Sequence, residues 1–93
     1  MKKLILFVQD GCRPCIYAKN NLAKIKGWED VVQLYPANSM GEPTYLAQKC
    51  DVVGTPCLVC MENGEVVAKM SGADEMNTEF WRNVILKHGP GTP

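Results

Sequence analysis

No charge of one sign dominates this 93-residue sequence: ten lysines and arginines stand against ten aspartates and glutamates, for a formal net charge of zero. The charges are scattered rather than blocked, so the electrostatic footprint of a nucleic-acid or anionic-membrane binder is missing, and small molecules or proteins are the expected partners. A long apolar run is also missing. The nearest candidate, Leu4 to Val8, follows two lysines but is too short for a signal-peptide core, and no small-residue cleavage site follows it. No later stretch approaches the length of a membrane span. These absences lead us to expect a cytoplasmic chain, in which thiols are kept reduced. Internal repeats are absent, and the only biased segment is the tail "GPGTP". The cysteines, finally, lack an even count: five cannot all pair within one chain, which argues against a secreted disulfide scaffold and for reactive or metal-binding thiols.

What is present suits a folded chain, with 46% hydrophobic and 22% charged residues. The length suits one small domain over 1–93, with 89–93 as a frayed tail after a helix stop at Gly89. Lys3 to Gln9 is a continuous run of branched and aromatic residues closed by Asp10-Gly11, which predicts a strand buried on both faces and placed mid-sheet. After Pro14, apolar residues recur at helical spacing through Ile25 until Gly27. Val31 to Tyr35 reads as a second strand, and "NSMGEPTYLAQKC" as a loop leading into a short helix from about Pro43 to Cys50. Cys57 to Met61 and Glu65 to Met70 are two strands joined by "ENGE", whose Asn-Gly marks an antiparallel hairpin. Met76, Phe80, Trp81, Val84, Ile85 and His88 form the apolar stripe of a last helix, capped by Asp74 or Asn77. The order β-α-β-α-β-β-α, with a right-handed crossover, predicts an α/β fold: a four-stranded mixed sheet with helices on both faces.

Chemistry concentrates at "QDGCRPCIYAKN", residues 9 to 20, where Cys12 and Cys15 flank Arg13 and Pro14 at the turn from strand to helix. A cysteine at a helix N-terminus meets free N–H groups and the positive end of the helix dipole, which favour its thiolate and depress its pKa. Arg13 adds a weak push in the same direction. Cys15 lies one turn on and on the same side, so an exposed nucleophile and a shielded resolving thiol stand within bonding reach. That is what thiol–disulfide exchange requires. A cytosolic C-x-x-C beside a β-α-β pattern favours this redox reading; half of a metal site and a pair of inert core cysteines are the alternatives. Cys57 and Cys60 repeat the spacing, but on a strand residues three apart face opposite ways and cannot share a metal or pair with each other.

The second anchor is "DVVGTPCLV", where Gly54-Thr55-Pro56 opens a strand. Together with C-x-x-C upstream, it makes the chain resemble the thioredoxins and, in its brevity, the glutaredoxins. The likeness runs from Leu4 to His88 and is carried by "CRPC", "AQKCDVVGTP" and "GTPCLVCMENGEVVAKMSGA". It implies the thioredoxin fold in its minimal four-stranded form, a cis Thr55-Pro56 peptide beside the cysteines, and a substrate surface of Gly11, Thr55, Pro56 and Gly72. Cys12 becomes the nucleophile and Cys15 the resolving thiol, tuned by Arg13 and Pro14, with no cofactor beyond the Cys12–Cys15 disulfide itself.

Three departures from the thioredoxin pattern stand out. Leu6 occupies the strand position, six before the first cysteine, where those proteins usually carry a buried aspartate. Gly11 replaces the tryptophan that usually precedes the pair, and Ser71-Gly72 replaces paired glycines. The first two lean toward glutaredoxins, yet Arg13-Pro14 keeps the proline in the thioredoxin place, and Asp10 is a negative charge where a glutathione carboxylate would approach. Mixed features imply a potential between about −270 and −200 mV, the thioredoxin and glutaredoxin values. The resemblance implies a monomeric electron carrier that reduces protein disulfides, ribonucleotide reductase among the plausible clients, and is recharged by thioredoxin reductase or glutathione. The alternatives are a glutathione-dependent glutaredoxin and a cysteine-ligated metal module. Cys50 and Cys60 are read as packing residues, Cys57 as lying near the site, His88 as a cation at a helix C-terminus, and Trp28 and Trp81 as packing anchors.

Overall fold

A computed structural model describes residues 2–88 of the chain. Six strands and three helices follow in the order β1 (Lys2–Val8), α1 (Arg13–Leu22), β2 (Val32–Pro36), β3 (Asn38–Ser39), β4 (Glu42–Pro43), α2 (Tyr45–Lys49), β5 (Cys57–Glu62), β6 (Glu65–Ser71) and α3 (Thr78–His88). The main sheet has the order β2-β1-β5-β6; β1 runs parallel to β2 and antiparallel to β5, and β5 antiparallel to β6. The strand read as doubly buried is thus central, with Leu4, Ile5, Leu6 and Phe7 all buried. Asn63 and Gly64 both adopt positive φ in the β5–β6 turn, the backbone that a two-residue hairpin with native twist needs.

Alternation along β1 and β5 divides the core in two. Leu4, Leu6 and Leu58 face α1 and α3, where they pack with Ala18, Leu22, Val32, Met76 and Trp81. Ile5, Phe7, Cys57, Val59 and Met61 face the other way, onto Ala47 of α2 and its C-cap Cys50. Helices therefore cover both faces. Cys57 and Cys60 fall on opposite sides of the sheet, as the period of two requires.

Local differences from the sequence reading have local causes. α1 ends at Leu22 rather than running on to Ile25, because Lys24 and Ile25 donate to the carbonyls of Asn21 and Leu22, three residues back, and the chain tightens out of α geometry. The short hairpin β3–β4 occupies part of the segment read as loop. α2 is capped by Thr44, whose hydroxyl accepts from Ala47 N–H at 3.3 Å. Asn77, not Asp74, caps α3: its side-chain oxygen accepts from Phe80 N–H at 2.8 Å. Trp81 is fully buried, as an anchor should be, while Trp28 is half-buried at the edge of the same cluster. The stop at Gly89 and the tail 89–93 lie outside the described residues.

Asn21 stitches α1 to the start of α3. Its Nδ2 donates to the Met76 carbonyl at 3.2 Å, and its Oδ1 accepts from the Thr78 hydroxyl at 3.4 Å. Asn21 is the buried polar residue among the described residues, at 9% exposure. Replacing it by leucine strands the Met76 carbonyl, so Asn21→Leu is expected to cost about 1–3 kcal/mol, read as a lower urea midpoint at unchanged m-value.

Candidate redox site

The site forms where β1 hands over to α1. Past Val8 the chain turns through Gln9–Cys12, closed by Cys12 N–H donating to the Gln9 carbonyl at 3.3 Å. Gly11 sits in this turn at φ +74, a conformation that an L side chain adopts only at a cost. Its lack of a side chain is therefore conformational as well as a loss of apolar surface. Cys12 is the N-cap of α1, with extended backbone angles, and Pro14 falls in the first turn, where its missing N–H costs nothing.

Cys12 and Cys15 form a disulfide with Cα atoms 5.2 Å apart. The two sulfurs differ in environment. Cys12 is half-buried, whereas Cys15 is 1% exposed. Cys12 Sγ accepts from Cys15 N–H at 3.2 Å and from the Thr55 hydroxyl at 3.5 Å, and lies 3.7 Å from the Thr55 carbonyl oxygen. A sulfur at a helix N-terminus with a backbone and a hydroxyl donor is arranged to carry negative charge.

The loop before β5 supplies the opposite wall. The Thr55-Pro56 peptide bond is cis, Pro56 is fully buried, and the Pro56 carbonyl accepts from Gly72 N–H at 2.9 Å. Thr55 thereby reaches Cys12 directly, Gly11 adjoins it in the chain, and Gly72 is tied to Pro56. Arg13 and Asp10 are exposed at the rim, and no ion pair ties either down among the described residues. Leu6 is fully buried in the cluster that holds Ala18 and Leu22, so no carboxylate stands at that strand position.

The other thiols lie outside this constellation. Cys57, fully buried, accepts from the Ser71 hydroxyl at 3.5 Å on the α2 face, a contact that sequence spacing did not signal beyond the pairing of two adjacent strands. Cys50 is buried with its sulfur 3.8 Å from Met61 Sδ, and burial, partly countered by Lys49, pushes its thiol pKa above the ordinary value. Cys60 departs from the expected core position: it is half-buried on the α3 face, because its cross-strand neighbour on β6 is the small Ala68. No group of three or more histidine, cysteine or acidic side chains that could hold a metal occurs among the described residues.

No family model and no curated protein matches the sequence. Solved structures do. Over 94% of this chain and 74% of the other, it is similar to the thioredoxin of Malassezia sympodialis, at 24% identity and a TM-score of 0.66. It is similar to Chlamydomonas reinhardtii thioredoxin f2 over 98% and 82% of the two chains, at 22% identity and 0.65. For mitochondrial thioredoxin 3 of Saccharomyces cerevisiae in its oxidized form, the coverage is 89% and 76%, the identity 24% and the TM-score 0.62. The mixed four-stranded sheet with helices on both faces is the thioredoxin fold.

Proposed function

We propose that this chain, built on the thioredoxin fold, is a thiol–disulfide oxidoreductase that reduces protein disulfides through Cys12 and Cys15. The observation that carries the reading is the asymmetric disulfide itself: an accessible sulfur at a helix N-terminus joined to a buried one. In the reduced protein, Cys12 thiolate, held by Cys15 N–H and the Thr55 hydroxyl, attacks one sulfur of a target disulfide. A Cys12–target bond forms and the other target sulfur leaves as thiolate. Cys15, deprotonated, then attacks Cys12 Sγ, the mixed bond breaks, and the second target sulfur leaves with the electron pair. Two electrons pass from the dithiol to the target, and the disulfide of the present structure is the oxidised product. The protein needs no further cofactor for this exchange.

With Thr55 beside Cys12 and Gly72 tied to Pro56, the proposed docking place for a client segment is along this loop, and the client class is a protein disulfide; ribonucleotide reductase belongs to that class. We read the carrier as cytoplasmic and monomeric in one domain; no helix among the described residues is long and apolar enough to cross a membrane. The missing aromatic before Cys12 favours glutathione as a second candidate reductant beside thioredoxin reductase. Insulin reduction decides both points. The wild-type chain should accelerate precipitation of the insulin B chain, and coupling to NADPH through thioredoxin reductase should turn over faster than coupling through glutathione and its reductase. The reverse order would make the chain a glutaredoxin, and inactivity in both couplings would refute the proposal.

A further inference from the structure

The half-buried Cys60 opens onto a cavity of about 410 Å³ between the sheet and α3. Leu4, Cys60 and Ala68 stand side by side on three adjacent strands and form its floor, and Phe80 and Val84 of α3 form a wall. It exists because β6 is an edge strand with a small side chain at Ala68, while α3 spends its largest residue, Trp81, on the cluster it shares with α1. The volume lies in the range of small-molecule sites, roughly 300–1,000 Å³. The groove is at the other end of the sheet from the redox loop: Leu4 is near the start of β1, whereas Cys12 follows its end, and Cys60 is three residues, roughly 10 Å, along β5 from Cys57.

Charge at the mouth selects the occupant. Lys87, His88 and Asn83 border the groove, and no carboxylate lines it among the described residues. Lys87 has no ion pair among the described residues. Lys69 adds no charge to it, since its ammonium donates to the carbonyls of Asp51, at 2.8 Å, and Cys50, at 3.4 Å, on the opposite face. His88 also lines the groove, and its pKa is lowered from the ordinary value, chiefly by desolvation and then by the charges of Lys2 and Lys87. An apolar trough ending in one free ammonium, an imidazole and an amide matches a single aliphatic chain that ends in a carboxylate. We propose that this groove is a binding site for a free aliphatic monocarboxylate of medium to long chain, with the tail over Leu4, Cys60 and Ala68 and the carboxylate at Lys87 and His88.

Dodecanoate, kept below its micelle-forming concentration, is the probe. With the Cys12–Cys15 pair oxidised and Cys50 and Cys57 buried, Cys60 is the thiol open to iodoacetamide, so its alkylation rate reports occupancy; a Cys60→Ser control identifies the signal. Saturable slowing of at least about tenfold is expected, with dodecylammonium at least about tenfold weaker in titration calorimetry. Ala68→Phe fills the trough from an exposed strand position and should abolish binding while leaving insulin reduction unchanged. Lys87→Glu should weaken dodecanoate by about tenfold and spare dodecylammonium. The proposal is overturned if the intact chain shows no saturable binding, including when residues 89–93 occupy the groove themselves. It is likewise overturned if the cationic amphiphile binds equally well, if Ala68→Phe binds as before, or if only phosphatidylglycerol vesicles are bound.

Discussion

Replacing Cys12 by serine is expected to reduce insulin-disulfide reduction to the uncatalysed rate, a loss on the order of 10³-fold or more, because the attacking sulfur itself is gone. Cys15→Ser leaves the attack intact and removes the escape. Its half-buried partner sulfur still stands at the N-terminus of α1 with the Thr55 hydroxyl beside it, so the first exchange proceeds and then stops. The covalent complex with the target should accumulate and be visible as a dithiothreitol-sensitive mass adduct. The two outcomes must differ. If both variants lose activity without an adduct, the roles assigned from burial are wrong; if Cys12→Ser retains activity, the whole reading fails. Leu6 gives the resolving step a further character. With an apolar side chain at this position of β1, the proton of buried Cys15 has no carboxylate there to receive it, so resolution of the mixed disulfide should be the slower half of the cycle.

Trp81→Ala is expected to be the most destabilising single substitution in α3, at about 3–5 kcal/mol. The indole is fully buried among Leu4, Leu6, Ala18, Leu22 and Met76, and makes an edge-on contact with Phe80 at 5.0 Å between ring centroids. Removing it opens a large void at the junction of α1, α3 and the sheet. A chain of this size has a total stability of only about 5–14 kcal/mol, so the loss is a large share of it and should lower the melting temperature by more than about 12 °C in calorimetry. Trp81→Phe should cost markedly less. It keeps an aromatic ring in place and also removes the indole N–H, which finds no partner among the described residues and carries a desolvation penalty. Equal losses for the two variants would show that the indole as such, rather than aromatic volume, holds the helices together. Both variants act on the helical layer behind the cysteines, so dithiol chemistry at Cys12 should survive in Trp81→Phe.

The element order was legible because it rests on periods that neighbours in sequence impose on each other. The apolar run of β1, the 3.6-residue stripe of α3, the Asn63-Gly64 hairpin and the alternation that sends Cys57 and Cys60 to opposite faces are all local physics. So is the position of Cys12 at a helix start, on which its proposed role as nucleophile rests. Boundaries were less legible. The tightening of the chain after Leu22 and the two-residue strands β3 and β4 depend on single hydrogen bonds that no period announces.

What only the tertiary structure decided is which distant residues share a space. Thr55 lies 43 residues from Cys12 in sequence, and family likeness rather than spacing placed it at the site; in the structure its hydroxyl and carbonyl both approach the Cys12 sulfur. Asn21 gave no sign of joining two helices. Cys60 looked like a core residue because its strand is apolar, but burial is set by what lies opposite, and there an alanine on an edge strand and the departing side of α3 leave it beside a groove. A strand's own sequence determines which way each side chain points. Whether anything fills the space it points into depends on partners far along the chain, and for Cys60 only the packing of β6 and α3 decided it.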